Sequence, residues 1–271
     1  MSATQRFEGK TVLVTGGAAG IGLGLCDAFA ARGAIVYAAD INEAGLEALA
    51  SKPRGAGAIT PVKLDVSQFD DFRNVITRVV KEHGRLDILI NNAGIVVAGD
   101  FNDTSMDEIE RIVNINLWGV IYGTKIAYTQ MIEQGHGHIL NVSSSGGLMP
   151  VPNQAMYSAI KHALIGLTHS LREEAELKGV QVTAVVPGMV QSDLWDSAIN
   201  VKDYDMRKNM ESTGMKAISA RDAAEAILQG IEANQRSIVF PLLNRIIVRL
   251  YQMLPGLMTK LAVKPLAKPA G

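Results

Sequence analysis

The stretch Lys10-Thr-Val-Leu-Val-Thr15 runs without a break into Thr15-Gly-Gly-Ala-Ala-Gly20-Ile-Gly22, and no other segment restricts the fold as much. A short run of apolar and β-branched residues reads as a strand buried on both faces. The glycines at 16, 20 and 22 allow a tight turn, close approach of the backbone to a pyrophosphate, and contact between the strand and the helix that follows. That helix would present its unpaired N-terminal amides to the phosphates. A glycine-rich turn alone is weak evidence of this, so the rest of the chain has to decide.

Strand and helix patterns alternate along most of it. Apolar runs predict strands at about 10–15, 34–39, 59–64, 86–90, 137–142, 180–186 and 237–240, with helices at about 20–32, 42–51, 68–83, 105–133, 155–178 and 219–233. Ser219-Ala-Arg-Asp222 reads as a capping box in which Asp replaces the longer Glu. Such alternation implies an α/β fold: a Rossmann-type, doubly wound parallel sheet of about seven strands with helices on both faces. At 271 residues, 48% hydrophobic and 20% charged, the chain can bury a sizeable core as one domain. We expect residues 1–240 to form the body, with a lid at about 189–218, and 241–271 to form a basic, apolar tail. A formal charge of −1 gives no electrostatic reason to bind nucleic acid. Cys26 is the sole cysteine and cannot form an internal disulfide; in the helix after the glycine turn it reads as a small buried residue. The first residues contain no apolar signal segment, so a cytoplasmic location is the default expectation.

The chemistry is carried further along. Tyr157 and Lys161 are four residues apart, which on a helix places them on one face, one turn from each other. A free tyrosine titrates near ~10, too high for a base at neutral pH, and a fixed cation beside it is expected to lower that value. Ser144 precedes the tyrosine by thirteen residues, and only Ser144, not Ser143 or Ser145, has that spacing. With the glycine turn, Asn91-Asn-Ala-Gly94, Asn116, and Pro187-Gly188 in chain order, the sequence from about residue 8 to 240 resembles the short-chain dehydrogenase/reductase family.

That resemblance implies an oxidoreductase with a nicotinamide dinucleotide. Tyr157 would be the general acid/base, Ser144 would hold the reacting oxygen, and Lys161 would act on both the phenol and the nicotinamide ribose. Asn116 has the glycine three residues later, Gly119, that the family pattern requires, and its backbone would help hold a water beside the lysine; Asn114 lacks that glycine. The cofactor would lie along Gly16, Gly20, Ile21 and Gly22, with Asp65 and Val66 bordering the adenine and Asn91, Ala93 and Gly94 beside it. Pro187, Gly188, Val190 and Ser192 would line the nicotinamide, Ser192 standing where the family more often has threonine. Asp65 and Asn91 also fit plain turn chemistry after strands. Asp40, ending the second strand about twenty residues past the glycine turn, can accept hydrogen bonds from the adenosine ribose and would repel a 2′-phosphate, which favours NAD over NADP. Its alternative is to cap the next helix, a task Asn42 could also perform.

The connection 189–218 carries Met189, Leu194, Trp195, Met206, Met210 and Met215, side chains that suit an adaptable apolar pocket. The expected substrate is an apolar or aromatic secondary alcohol or the matching ketone. An NADPH-dependent ketone or 3-oxoacyl reductase is the alternative, which Asp40 argues against, and a non-catalytic dinucleotide sensor is a third reading, which the intact Ser144, Tyr157 and Lys161 set argues against. His136-Gly-His138 reads as a surface turn and no metal is expected, since no cysteine or carboxylate cluster completes a site. Helices 105–133 and 155–178 offer surface for pairing into a homodimer or homotetramer. From Ser237 to Gly271 there is no acidic residue, whereas Arg245, Arg249, Lys260, Lys264 and Lys268 punctuate an apolar run too broken for a bilayer span. Subunit packing, a place over the substrate entrance and contact with a membrane surface all fit that pattern.

Overall fold

Seven strands form a single parallel sheet in the order β3-β2-β1-β4-β6-β7-β9. The computed structural model describes residues 7–50, 57–192, 194–212, 214 and 216–264. In chain order the sheet strands are β1 (Thr11–Thr15), β2 (Ile35–Asp40), β3 (Ala58–Lys63), β4 (Ile88–Asn91), β6 (Gly137–Val142), β7 (Val180–Pro187) and β9 (Ser237–Phe240). Strand order reverses between β1 and β4, the point at which an open α/β sheet parts its loops and leaves a crevice at the strands' carboxyl ends.

Alternate residues of the central strands enter two separate cores, as a period of two requires. Val12, Val14, Ile88, Ile90, Leu140 and Val142 pack against α1 (Gly20–Ala30), α2 (Glu43–Ala50) and α8 (Ala220–Glu232). Leu13, Leu89 and Ile139 face the other way, onto α3 (Phe69–His83) and α5 (Gly119–Gln134). The strands are apolar on both sides because both sides are covered. Cys26 is buried in the first of these cores.

Three features depart from the expected elements. The long helix at 105–133 is interrupted: α4 (Met106–Val113) passes through a π turn (Asn114–Trp118) into α5, and Gly119 N–H donates to the Asn114 carbonyl. Ser105 and Glu108 cap α4 reciprocally. The lid carries its own structure, a two-residue strand β8 (Ile199–Asn200) paired with β5 (Val97–Ala98) and a short helix α7 (Met206–Ser212). Strands of two residues carry no readable period. At α8, Ser219 accepts from the Asp222 amide at 3.0 Å, but the Asp222 carboxylate takes its hydrogen bond from the Ser219 hydroxyl.

The third departure is His138, which is not in a surface turn. It sits in β6, buried, with Nε2 2.8 Å from Thr183 Oγ1. Because Thr183 gives its own proton to the Gln235 carbonyl, its oxygen accepts from His138, which fixes the neutral Nε2–H tautomer. Burial, aided by the Arg172 charge, lowers the His138 pKa to about 3. A depressed folded value means that the unfolded chain binds more protons below the ordinary histidine pKa, so this stability is complete above about 6.5 and is lost as pH falls towards 3. Urea unfolding should therefore show a midpoint that falls steadily between pH 6.5 and 4, and His138→Gln, which keeps a donor for Thr183, should flatten that slope.

Candidate active site

The carboxyl ends of β1 and β4 are tied together by side chains. Thr15 Oγ1 donates to the Ile90 carbonyl at 3.3 Å and accepts from the amides of Asn92 and Ala93, both at 3.0 Å. Asn92 Nδ2 reaches back to the carbonyls of Thr15 at 2.9 Å and Gly16 at 3.3 Å. Neither role was read from the sequence, although Asn92 stands inside the Asn91-Asn-Ala-Gly94 motif. Gly16 has φ +66°, and a Cβ on it would lie 2.8 Å from Asn92 Nδ2. A Cβ on Gly22 would lie 1.9 Å from the Gly16 carbonyl oxygen. The turn is thus a bare backbone cradle at the start of α1, where no side chain caps the first amides. It fits a pyrophosphate, and Gly20 faces Ser192 across it.

Asp40 points at this cradle. Its Oδ2 accepts from the Ala18 amide and its Oδ1 from the Asn42 amide, both at 3.0 Å. The cap on α2 comes from Asn42, whose Oδ1 accepts from Gly45 N at 3.1 Å. Ile41 beside it is 64% exposed. At the end of β3, Asp65 Oδ1 closes a local turn with the amide and hydroxyl of Ser67, while Val66 is buried under Gly119. Asn91 Nδ2 donates to Thr124 and Asn141, in a chain that continues to Thr168, while its buried Oδ1 has no hydrogen-bond partner among the described residues. At 2% exposure it supports the sheet and offers no side-chain contact to a ligand. Gly94 packs against the Asn116 amide.

The three chemical residues come from two elements. β6 ends at Val142, and Ser143 and Ser144 follow; α6 (Ala155–Glu176) carries Tyr157 and Lys161. Ser143 Oγ donates to the Lys161 carbonyl at 2.8 Å and so fastens strand to helix. Ser144 is left for the cleft, where its hydroxyl accepts from the Gly146 amide at 3.1 Å and shares a hydrogen bond with Tyr157. Ser145 begins a short turn whose carbonyl holds Leu148 and Met149. Lys161 is buried; its Nζ donates to the Val142 carbonyl at 2.8 Å and lies 5.4 Å from the centre of the Tyr157 ring.

Electrostatics at the pair differ from the expectation. Burial raises the Tyr157 phenol above its ordinary value, and the Ser144 hydrogen bond only partly opposes this. Burial also lowers Lys161, to about 8. The ammonium sits over the ring face and donates to a carbonyl, not to the phenol oxygen, and loss of water is the leading cause at both groups. Asn116, fully buried in the π turn, exchanges two 2.8 Å hydrogen bonds with the backbone of Ile95. Its side chain thereby anchors the loop after β4 to the helix that packs beside α6.

Apolar lid residues gather around the tyrosine. Tyr157 packs in one cluster with Val96, Leu194, Trp195, Tyr204, Met206 and Met210. β8 holds the lid through Ile199 N to the Val96 carbonyl and Val201 N to the Ala98 carbonyl, both 2.9 Å. Met215 lies outside the described residues. Beyond β7, the Gly188 amide donates to the Phe240 carbonyl at 2.8 Å, and a Cβ on Gly188 would touch Asn244 at 2.9 Å. Val190 is buried and its backbone pairs with Ile218. A cavity of about 600 Å³ opens on the far side of Gly20 and Ser192, between α1, Trp195 and Arg221, and does not include Tyr157. Among the described residues no group of three or more His, Cys, Asp or Glu side chains is arranged to hold a metal ion.

Ser144, Tyr157 and Lys161 thus meet beside the glycine cradle at one end of the sheet, and comparison with known proteins identifies the family. The short chain dehydrogenase family model matches residues 10–202, and the chain belongs to that family. It is 36% identical over 191 residues to a 3-oxoacyl-[acyl-carrier-protein] reductase FabG of Thermotoga maritima, covering 70% of this chain and 78% of that protein. Its fold matches a short chain dehydrogenase/reductase from Burkholderia phymatum in complex with NAD, with TM-score 0.84 and 25% identity over 93% of this chain and 95% of that one. A short-chain dehydrogenase from Sphingobium yanoikuyae in complex with NADPH matches with TM-score 0.77 and 26% identity over 93% and 94% of the two chains.

Proposed function

We propose that the protein is an NAD-dependent dehydrogenase that interconverts an apolar or aromatic secondary alcohol and its ketone. The observation that carries this reading is the Ser144, Tyr157 and Lys161 group opening into an apolar lid cluster. A bound nicotinamide would accept or donate the hydride. The cradle of Gly16, Gly20, Ile21 and Gly22 would hold its pyrophosphate, Asp40 the adenosine ribose, and Asp65, Val66, Ala93 and Gly94 the adenine side. Pro187, Gly188, Val190 and Ser192 would flank the nicotinamide, and Lys161 would reach its ribose.

The protein's own part is to orient the substrate and move one proton. Ser144 holds the reacting oxygen, which fixes its carbon in line for transfer. In oxidation the substrate hydroxyl gives its proton to Tyr157 Oη; in reduction Tyr157 returns it to the alkoxide as it forms. Lys161 stabilises the phenolate, and Asn116 positions the loop beside it. The apolar lid excludes water, which strengthens each of these electrostatic contributions. We assign the lid to residues 189–218 and the tail to 241–271. Exposed Phe69 and Trp118, both packed on Tyr122, support pairing of copies as a homodimer or homotetramer. A second reading is an NADPH-dependent 3-oxoacyl reductase: the name of the T. maritima relative supports the 3-oxoacyl substrate, and the NADPH complex of the S. yanoikuyae protein is compatible with that cofactor. Asp40 beside the cradle favours NAD.

Tyr157→Phe should keep cofactor affinity and lose roughly 10²–10⁴ in turnover, the usual worth of a general acid/base; retention of more than a tenth would remove the assignment. The pair Tyr157 and Lys161 loses a proton as one unit. For alcohol oxidation, kcat/KM should therefore rise with pH on the alkaline side of neutrality. Lys161→Met leaves a buried phenol alone and should move that rise above the ordinary tyrosine value, as a pH–rate profile would record.

Asp40→Ser with Ile41→Arg removes the carboxylate that repels a 2′-phosphate and supplies a cation for it. The ratio of kcat/KM for NAD to that for NADP should fall at least about tenfold, equivalent to about 1.4 kcal/mol. An unchanged ratio would mean that Asp40 faces away from the ribose.

A further inference from the structure

After β9 the chain forms α9 (Leu242–Met253), α10 (Pro255–Met258) and a final π turn (Thr259–Val263). α9 has two apolar sides. At about 100° per residue, Ile247, Val248 and Tyr251 fall together and face the body, in a cluster with Met149 and Val263. Leu242, Leu243, Ile246, Leu250 and Met253 fall within an arc of about 100° on another side, and all are exposed, Met253 by 75%. Leu254, Leu257 and Leu261 extend the exposed surface. These eight side chains are more than half of the large exposed apolar ones among the described residues, and they come from one short segment.

The border of this surface is basic. Arg249 flanks the apolar arc of α9 and is exposed, and Lys260 and Lys264 are exposed further on. Arg245 is held to the body by the Val239 carbonyl. No Asp or Glu occurs from residue 237 to 271. Pairing of this face with itself about a two-fold axis would set like charges together with no carboxylate in the segment to offset them. An anionic lipid surface answers both properties at once, since phosphate headgroups pair with the cations and the acyl boundary takes up the apolar side chains.

We propose that α9 and α10 form an interfacial anchor that seats the protein on an anionic phospholipid bilayer. The anchor lies in the plane of the surface: α9 is about 18 Å long, and among the described residues no helix is long and apolar enough to cross a membrane. Its inner side packs on Met149 and Gly188, at the rim of the cleft, so the rim lies about one helix diameter, roughly 10 Å, from the lipid. That placement suits an apolar substrate dissolved in the bilayer, although the docking itself does not depend on the substrate reading above.

Flotation of the full-length protein with vesicles tests it, using phosphatidylcholine alone and phosphatidylcholine mixed with phosphatidylglycerol. The protein should float with the mixed vesicles and be released by salt. Ile246→Glu with Leu250→Glu should lower the bound fraction about tenfold or more. Arg249→Gln with Lys260→Gln should lower it roughly 25-fold on mixed vesicles, at about fivefold per cation. All four side chains project from the body, so turnover of a small water-soluble alcohol and the mass by light scattering should stay unchanged. Failure of the wild-type protein to float with mixed vesicles would overturn the proposal, as would undiminished flotation of either variant. A smaller assembly in the Glu variant would also overturn it, assigning the face to a second copy of the chain.

Discussion

Hydrogen bonds from Thr15 and Asn92 tie the end of β1 to the end of β4 where the two halves of the sheet part, and the geometry of the cleft follows from them. At that switch point neighbouring strands send their loops to opposite faces, which leaves backbone amides and carbonyls without sheet partners. Each bond made there contributes about 1 kcal/mol net, and each left unmade in a buried place costs about 1–3 kcal/mol. Thr15 and Asn92 satisfy five such groups between them. In doing so they hold Gly16 at positive φ, bring its carbonyl against Gly22, and aim the start of α1 into the crevice.

A second constraint is the burial of Lys161. Placing an ammonium in a low-dielectric site is costly unless it is paired or hydrogen-bonded, and here it has the Val142 carbonyl and the face of Tyr157. Desolvation acts in opposite directions on the two partners, lifting the phenol and lowering the amine, because it disfavours whichever form is charged. Their ordinary titration order is thereby disturbed, and a proton leaving the pair belongs to both. Ser143 fixes the helix to the strand from behind, which leaves Ser144 beside Tyr157.

The connection proposed as a lid and the segment after β9 are held to the body by different means. The lid is held to the body by the short β5–β8 ladder, and its apolar side chains meet around Tyr157. The tail packs one side of α9 on Met149 and leaves the other in solvent.

Much of the fold was legible in the residues. All seven sheet strands fall within about two residues of their apolar runs, since strands covered on both faces need continuous apolar sequence. Asp40 beside the glycine turn follows from the end of the second strand, and the Tyr157 and Lys161 pairing from one helical turn; Ser144, on another element, joined them only through the family resemblance. Other features depend on partners remote in the chain. The buried His138 is defined by Thr183 and Gln235, the π turn at Asn116 by the backbone of Ile95, and the clamp at Asn92 by Thr15. No local pattern encodes such pairings. The direction of the Tyr157 and Lys161 shifts is likewise tertiary: sequence supplied the two ionisable groups and their proximity, but only the packing around them determined how much water they lose, and that loss is the largest influence on both.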